Sequence, residues 1–194
     1  MTDLLRQAKY FLSETDPQRL APATAEVAFI GRSNVGKSSL LNAICQRRGL
    51  AIVSKTPGRT RTINVFTLDR LHWLVDLPGY GYAVGPVSSR EGWSRMVEGY
   101  LTSRPSLRGL FLLFDSKVGP TKLDHEMRDW LEAQGLPYFL VGNKIDQVKP
   151  SQQLGQKKRI AEGLRVSLAD IQWVSATEET GLAALRQNIT QLLR

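Results

Sequence analysis

Residues 31–38 read GRSNVGKS, a fit to the phosphate-loop pattern G-x-x-x-x-G-K-S/T, and the flanking segments limit what can form around them. Val27-Ala28-Phe29-Ile30 precedes the octet and reads as a buried strand. Ser39-Leu40-Leu41-Asn42-Ala43-Ile44 follows it and reads as the first turns of a helix. Strand, glycine loop and helix in that order direct successive backbone N–H groups and the positive helix end at one point. A polyanionic phosphate group fits there. The candidate contacts are Gly31, Arg32, Ser33, Asn34, Val35, Gly36, Lys37, Ser38 and Ser39, with the Lys37 ammonium reaching the outer phosphates.

A second motif selects the base. Asn143-Lys144-Ile145-Asp146 follows the apolar residues 138–141. The Asp146 carboxylate can accept from both N1–H and the exocyclic amine of guanine. Adenine has no hydrogen at N1 and no amine at that carbon, so it would leave the carboxylate desolvated and unpaired. Pockets of this kind discriminate by roughly four to five powers of ten. The Lys144 stem can lie along the ring plane, and Asn143 can tie its loop back to the phosphate loop. Ser175-Ala176-Thr177 follows a short apolar stretch around Trp173 and can complete the rim with backbone groups. An NKID tetrapeptide alone also arises by chance on a lysine-rich turn. Its pairing with the octet, each after a strand, removes that reading.

Between the two motifs, Asp76-Leu77-Pro78-Gly79 closes the apolar run 71–75. A carboxylate at a strand end can hold magnesium through water, and the Gly79 N–H can then meet a γ-phosphate. Upstream, Thr56-Pro57-Gly58-Arg59-Thr60 is a loop rich in turn formers. The Thr60 hydroxyl is the candidate second protein ligand on magnesium beside Ser38. Thr56 is its rival, and spacing does not separate them. Magnesium asks for a tight octahedron of oxygens, which two hydroxyls, two phosphate oxygens and two waters satisfy.

Together GRSNVGKSSLLNA, TPGRT followed by INVF, DLPGYGYA and NKID resemble the EngB group (also called YihA or YsxC) of small GTPases, over residues 26–194. The resemblance implies a Ras-like P-loop GTPase fold, a GTP/GDP cycle with Mg2+, and a role in assembling the large ribosomal subunit. It also implies a requirement in normal septation at cell division. Carried over position by position, the nucleotide contacts are residues 31–38, Gly58-Arg59-Thr60, Asp76 to Gly79, Asn143 to Asp146, and Ser175 to Thr177. Magnesium falls to Ser38 and Thr60, with Asp76 acting through water. The chain departs from the family at Arg61, where glutamine is expected, and at Val84, where lysine is expected; both lie on the expected partner face.

For catalysis, the candidates are Lys37, Thr60, Gly79 and Asn34. Ras-like switches place a glutamine just after DxxG to orient the attacking water, and here that position is Tyr80. Intrinsic hydrolysis is therefore expected to be no faster than roughly 10⁻⁴ to 10⁻³ s⁻¹. Two readings of Asn34 stand. Its side-chain oxygen can hold a potassium ion against the phosphates, as in related GTPases with asparagine here, or it only shapes the loop turn. Tyr80-Gly81-Tyr82 also carries two readings: aromatic stacking on RNA bases beside a hinge, or packing under the loop.

Charge and length narrow the partners. The chain has 194 residues, 42% hydrophobic, with 26 basic and 18 acidic residues for a net charge of +8. Residues 27–68 hold Arg32, Lys37, Arg47, Arg48, Lys55, Arg59 and Arg61 and no carboxylate; Lys157-Lys158-Arg159 forms a second basic cluster. The excess points to rRNA contact on a large ribosomal subunit or its precursor, against a merely solvated basic face. A constitutive RNA-binding or scaffold protein with a structural nucleotide is the alternative function. NKID speaks against an ATP-dependent kinase built on the same loop. No apolar run approaches the ~20 residues of a membrane span. The first fifteen residues lack a signal-peptide pattern, and the single cysteine, Cys45, reads as packed. A cytoplasmic monomer without membrane contact is expected.

Periodicity gives the organisation: an N-terminal extension over residues 1–25, then a GTP-binding domain over residues 26–194. Leu4, Leu5, Ala8, Phe11 and Leu12 recur at helical spacing and predict a short helix. Residues 62–68 and 71–75, joined by Asp69-Arg70, predict an antiparallel hairpin. Residues 109–114 predict a buried strand, and helices are expected over 90–102, 122–134, 151–165 and 179–192. Alternating strands and helices give an α/β fold, a mostly parallel doubly wound sheet with one antiparallel edge strand.

Overall fold

Strand β2 (Ala25–Gly31) is buried at every position, as a strand covered on both faces must be. Its side chains divide by parity: Val27 and Phe29 enter one core, Ala28 and Ile30 the other. The computed structural model describes residues 3–53, 62–81 and 87–194. In chain order these form α1 (Asp3–Arg6), β1 (Lys9–Glu14), β2, α2 (Lys37–Ile44), β3 (Ile63–Thr67), β4 (His72–Asp76), α3 (Val87–Ser103), β5 (Leu107–Asp115), α4 (Lys122–Ala133), β6 (Tyr138–Asn143), α5 (Pro150–Leu164), β7 (Ile171–Trp173) and α6 (Leu182–Leu192). Three short 3₁₀ turns, at Pro17–Arg19, Ile145–Gln147 and Leu168–Asp170, complete the chain order.

One sheet results, in the order β1-β3-β4-β2-β5-β6-β7. Pairs β4–β2, β2–β5, β5–β6 and β6–β7 are parallel, while β1–β3 and β3–β4 are antiparallel. A single strand, β3, runs against the rest, and β1 covers its outer edge. Leu40 and Ile44 of α2 and Leu185 and Ile189 of α6 pack on the β2 face that carries Phe29, where Phe29 stacks on Phe111 at 5.1 Å. Val97 and Tyr100 of α3, Leu131 of α4 and Ile160 of α5 fill the opposite core. After β2 the chain turns to β3 and β4 on one side, then returns to β5 on the other. That reversal opens a crevice at the C-terminal end of β2, where residues 31–38 begin.

Two local expectations differ from the structure. The helical spacing from Leu4 to Leu12 is realised only in α1, and Lys9–Glu14 forms β1, paired with β3 from Lys9↔Thr67 to Glu14↔Ile63. Tyr10, Phe11 and Leu12 suit a strand, and the open edge of β3 supplies a hydrogen-bonding partner that helical periodicity cannot report. Leu5 and Ala8, fully buried, keep the apolar role that their spacing implied. The hairpin connection is also longer than two residues: β3 ends at Thr67 and β4 starts at His72. Asp69 Oδ1 accepts from the N–H groups of Leu71 (2.7 Å) and His72 (2.8 Å), an Asx-type closure that needs the extra residues. Among the described residues no helix is long and apolar enough to cross a membrane.

At the opposite end of β2, Glu26 is fully buried and fully paired. Its carboxylate accepts from Tyr100 Oη (2.6 Å), Ser106 Oγ and Arg104, whose Nε lies 2.9 Å away. The Arg104 guanidinium also donates to Ala21 O (2.9 Å) and lies 5.4 Å over the Trp73 ring. This node fastens the entry of β2 to the end of α3. Removing one partner of a buried ion pair strands the other, at about 3–5 kcal/mol. Glu26→Ala should therefore lower unfolding stability by about that amount, read as a fall in the urea midpoint at unchanged m-value.

Candidate functional site

The phosphate loop is shaped by close backbone approach. A Cβ on Gly31 would lie 2.6 Å from Leu113 O, and one on Gly36 would lie 2.6 Å from Asn143 Nδ2. Gly36 also has φ 96°, a conformation that favours glycine, and Asn34 sits in the left-handed region at φ 66°. Gly36 caps α2 without a side-chain hydrogen bond, so the first-turn N–H groups of this helix have no capping side chain and face the loop.

Inside the loop two charges are incompletely matched. Lys37 is buried with its Nζ 4.0 Å from Asp76 Oδ1, and Asp76 Oδ1 has no hydrogen-bond donor. Burial pulls the Lys37 ammonium below the usual lysine range, with Asp76 opposing. Burial pushes the Asp76 carboxyl up, opposed by Lys37 and by the Ser38 hydroxyl, which donates to Oδ2 at 3.4 Å. Lys37 is short of an anion and Asp76 is short of a cation. A nucleotide phosphate with magnesium supplies both. The donor set fits that metal, because a hydroxyl and an under-paired carboxylate are hard oxygen donors at a phosphate site.

The guanine motif is fastened to this loop. Asn143, buried at the end of β6, donates from Nδ2 to Val35 O at 2.9 Å. Lys144, at φ 60°, donates from Nζ to Asn34 O and to Asp115 Oδ2, both at 2.8 Å. Asp146 is exposed in the turn Ile145–Gln147, so its carboxylate is open to a ligand. The Ile145 N–H donates to Val174 O at 3.2 Å, which sets this turn beside Ser175, Ala176 and Thr177. Gly181, whose Cβ would fall 2.2 Å from Trp173 O, lets the chain close behind that rim. Residues 31–38, Asp76 to Gly79, Asn143 to Asp146 and the 175–177 loop thus gather at one end of the sheet. Gly58, Arg59 and Thr60 lie outside the described residues, as do Lys55, Thr56, Arg61, Tyr82 and Val84.

Two residues without a role assigned from sequence belong to this arrangement. Asp115 closes β5; besides holding Lys144, its Oδ1 accepts from the N–H groups of Lys117 (2.9 Å) and Val118 (3.2 Å). The signal was a carboxylate ending an apolar strand, the same pattern that marks Asp76. Asp124 is the second: its Oδ1 accepts from Tyr80 Oη at 2.6 Å, while Oδ2 closes the capping box of α4 with Thr121. Nothing in the spacing of Tyr80 and Asp124 signals that contact.

The Tyr80 ring is consequently not available to stack on RNA. It is buried, edge-on to Trp93 at 6.3 Å, and its phenol is held protonated first by burial and then by Asp124. Of the two readings of this tyrosine, packing under the loop is the one present. Cys45 is packed as well, its thiol pushed up to about 12 chiefly by burial. Among the basic residues, Arg47 is committed to Ala8 O at 2.9 Å, and Lys157 lies 5.6 Å over the Trp173 ring. Lys117, Lys149 and Arg159 line an open groove with Gln147, Gln152 and Gln156, close to the guanine motif and without a carboxylate among its lining residues.

Comparison with known proteins agrees with this geometry. A family model described as 50S ribosome-binding GTPase matches residues 26–144. A probable GTP-binding protein EngB of Pelotomaculum thermopropionicum is 51% identical over 142 residues, covering 73% of this chain and 72% of that protein. The chain belongs to the EngB family. It is accordingly a guanine-nucleotide-binding GTPase. The crystal structure of a probable GTP-binding protein engB superposes with a TM-score of 0.67 at 26% identity, over 88% of this chain and 99% of that one. The crystal structure of Era in complex with MgGDPNP and nucleotides 1506–1542 of 16S ribosomal RNA superposes with a TM-score of 0.66 at 25% identity, over 90% of this chain and 58% of that one.

For this EngB-family chain, the under-paired Asp76 makes a direct prediction. Asp76→Asn should shrink the gain in GTP affinity that magnesium confers by about tenfold or more, as loss of an outer-sphere metal partner does. Titrations of labelled GTP with magnesium and with EDTA measure it.

Proposed function

We propose that this GTPase is a switch protein that binds a large ribosomal subunit precursor in its GTP form, assists its assembly in the cytoplasm, and leaves after hydrolysis. Normal cell division then depends on it through ribosome supply. The observation that carries the reading is the buried, loosely matched Lys37–Asp76 pair inside a loop fastened to NKID by Asn143. Such a site gains most from a ligand that brings phosphate, a metal cation and guanine together. The large-subunit part is supported by the description of the family as 50S ribosome-binding, and RNA contact by the 16S rRNA held in the Era complex and by the carboxylate-free groove of Lys117, Lys149 and Arg159.

In this reading the amides of residues 31–38 and the Lys37 ammonium hold the phosphates, and Asp146 reads the guanine edge. Asn143 and Lys144 brace the loop, and residues 175–177 close the rim. Ser38, Thr60 and, through water, Asp76 would hold magnesium, whose charge would offset that on the phosphate oxygens. Gly79 and Thr60 sense the third phosphate. Tyr80, hydrogen-bonded to Asp124, cannot orient a water as glutamine does, so hydrolysis is slow until something adds charge at the transition state. Asn34 acting on a potassium ion is one such device, and rates in potassium chloride should then exceed those in sodium chloride; equal rates would remove it.

The functional test compares protein loaded with GDP or with a non-hydrolysable GTP analogue for binding to large-subunit precursors in sedimentation. Binding at least tenfold tighter in the GTP state is expected. Equal binding in both states would mean a constitutive RNA-binding protein with a structural nucleotide.

A further inference from the structure

We propose that Trp93 is the positioning residue of the γ-phosphate sensor: its indole N–H holds the Pro78–Gly79 peptide so that the Gly79 amide faces the phosphate loop. The inference rests on the reading of Gly79 as the group that meets the third phosphate, and it adds what fixes that group in place.

Trp93 lies on α3 and donates from Nε1 to Pro78 O at 3.0 Å. The chain contains no cis peptide among the described residues, and a planar trans peptide points its C=O and N–H in opposite directions. With the carbonyl drawn toward α3, the Gly79 N–H is turned away from that helix. The phosphate loop packs directly against this glycine. A Cβ on Gly79 would lie 3.1 Å from Gly31 O, 3.1 Å from Ser33 N and 3.2 Å from Lys37 Nζ. No acceptor for the Gly79 N–H occurs among the described residues. An N–H without an acceptor among the described residues therefore sits beside a lysine whose carboxylate partner, Asp76, is 4.0 Å away.

Without this bond the peptide plane has little to hold it. Proline fixes φ but not ψ, and glycine tolerates most backbone angles, so the Pro78–Gly79 unit can rotate. The next residue, in contrast, is fastened twice. Tyr80 O accepts from the Ser33 N–H at 2.9 Å, and Tyr80 Oη donates to Asp124. Trp93 also meets the Tyr80 ring edge-on, so one side chain contacts both the sensor peptide and its anchor. Packing alone would be served by any aromatic ring. The indole N–H adds a directional constraint on one carbonyl, and that constraint is what the sensor needs.

Trp93→Phe keeps an aromatic ring against Tyr80 and removes the donor. Affinity for a non-hydrolysable GTP analogue with magnesium should fall roughly three- to tenfold, as loss of one hydrogen bond does, while GDP affinity stays within about twofold. Tyr80→Phe, which loosens the anchor through Asp124, should shift the GTP-to-GDP affinity ratio in the same direction. The unchanged GDP affinity shows that the variants fold. Equal weakening of both nucleotides, or no change in their ratio for Trp93→Phe, would overturn the assignment and leave Trp93 a packing residue. A parent protein that itself gains no affinity from the third phosphate would instead overturn the reading of Gly79 as sensor.

Discussion

The hydrogen bond from Asn143 Nδ2 to Val35 O, across 108 positions of sequence, makes two motifs into one site. It runs through a gap that only glycine allows, since a Cβ on Gly36 would occupy the position of the Asn143 amide. Lys144 repeats the connection one residue further, reaching Asn34 O from one side and Asp115 from the other. Base recognition is thereby coupled to loop shape. On the proposed reading, a guanine at Asp146 and phosphates at residues 31–38 would bear on the same short piece of backbone, so either ligand would stiffen the support of the other.

Two buried carboxylates in this sheet have opposite electrostatic fates. Glu26, at the start of β2, is surrounded by donors from Tyr100, Arg104 and Ser106, and it ties the strand to α3. Asp76, at the end of β4, has one weak hydroxyl partner and a lysine 4.0 Å away. A satisfied buried charge contributes to one defined structure. An under-satisfied one stores a demand that a ligand can meet, which is why the incomplete pair lies at the switch-point crevice and the complete one at the other end.

Much of this was legible in advance because the relevant signals are local. The octet, its strand and its helix occupy consecutive residues, as do NKID and DLPG, and helices α3 to α6 follow from apolar spacing. The sequence reading also has Asn143 tying its loop back to the phosphate loop, and the structure shows the bond. The N-terminal segment misled: Leu4 to Leu12 keeps helical spacing, yet β3 offers an open edge and residues 9–14 pair with it. Asp69 likewise closes a longer turn than its neighbours suggested. Tyr80 was assignable to the surface or to the interior until Asp124, 44 positions away, supplied a buried acceptor.

The sequence by itself determined the ligand class, since glycines at fixed spacing, a lysine, a serine and an NK-x-D turn are chemical requirements written in consecutive residues. Only the tertiary structure decided how the site is held: which carbonyl Asn143 reaches, that Asp115 braces Lys144, and that Trp93 and Asp124 grip the loop after Asp76. Those contacts join residues far apart in the chain through directional hydrogen bonds. Their existence depends on distances that arise only when both faces of the sheet are packed.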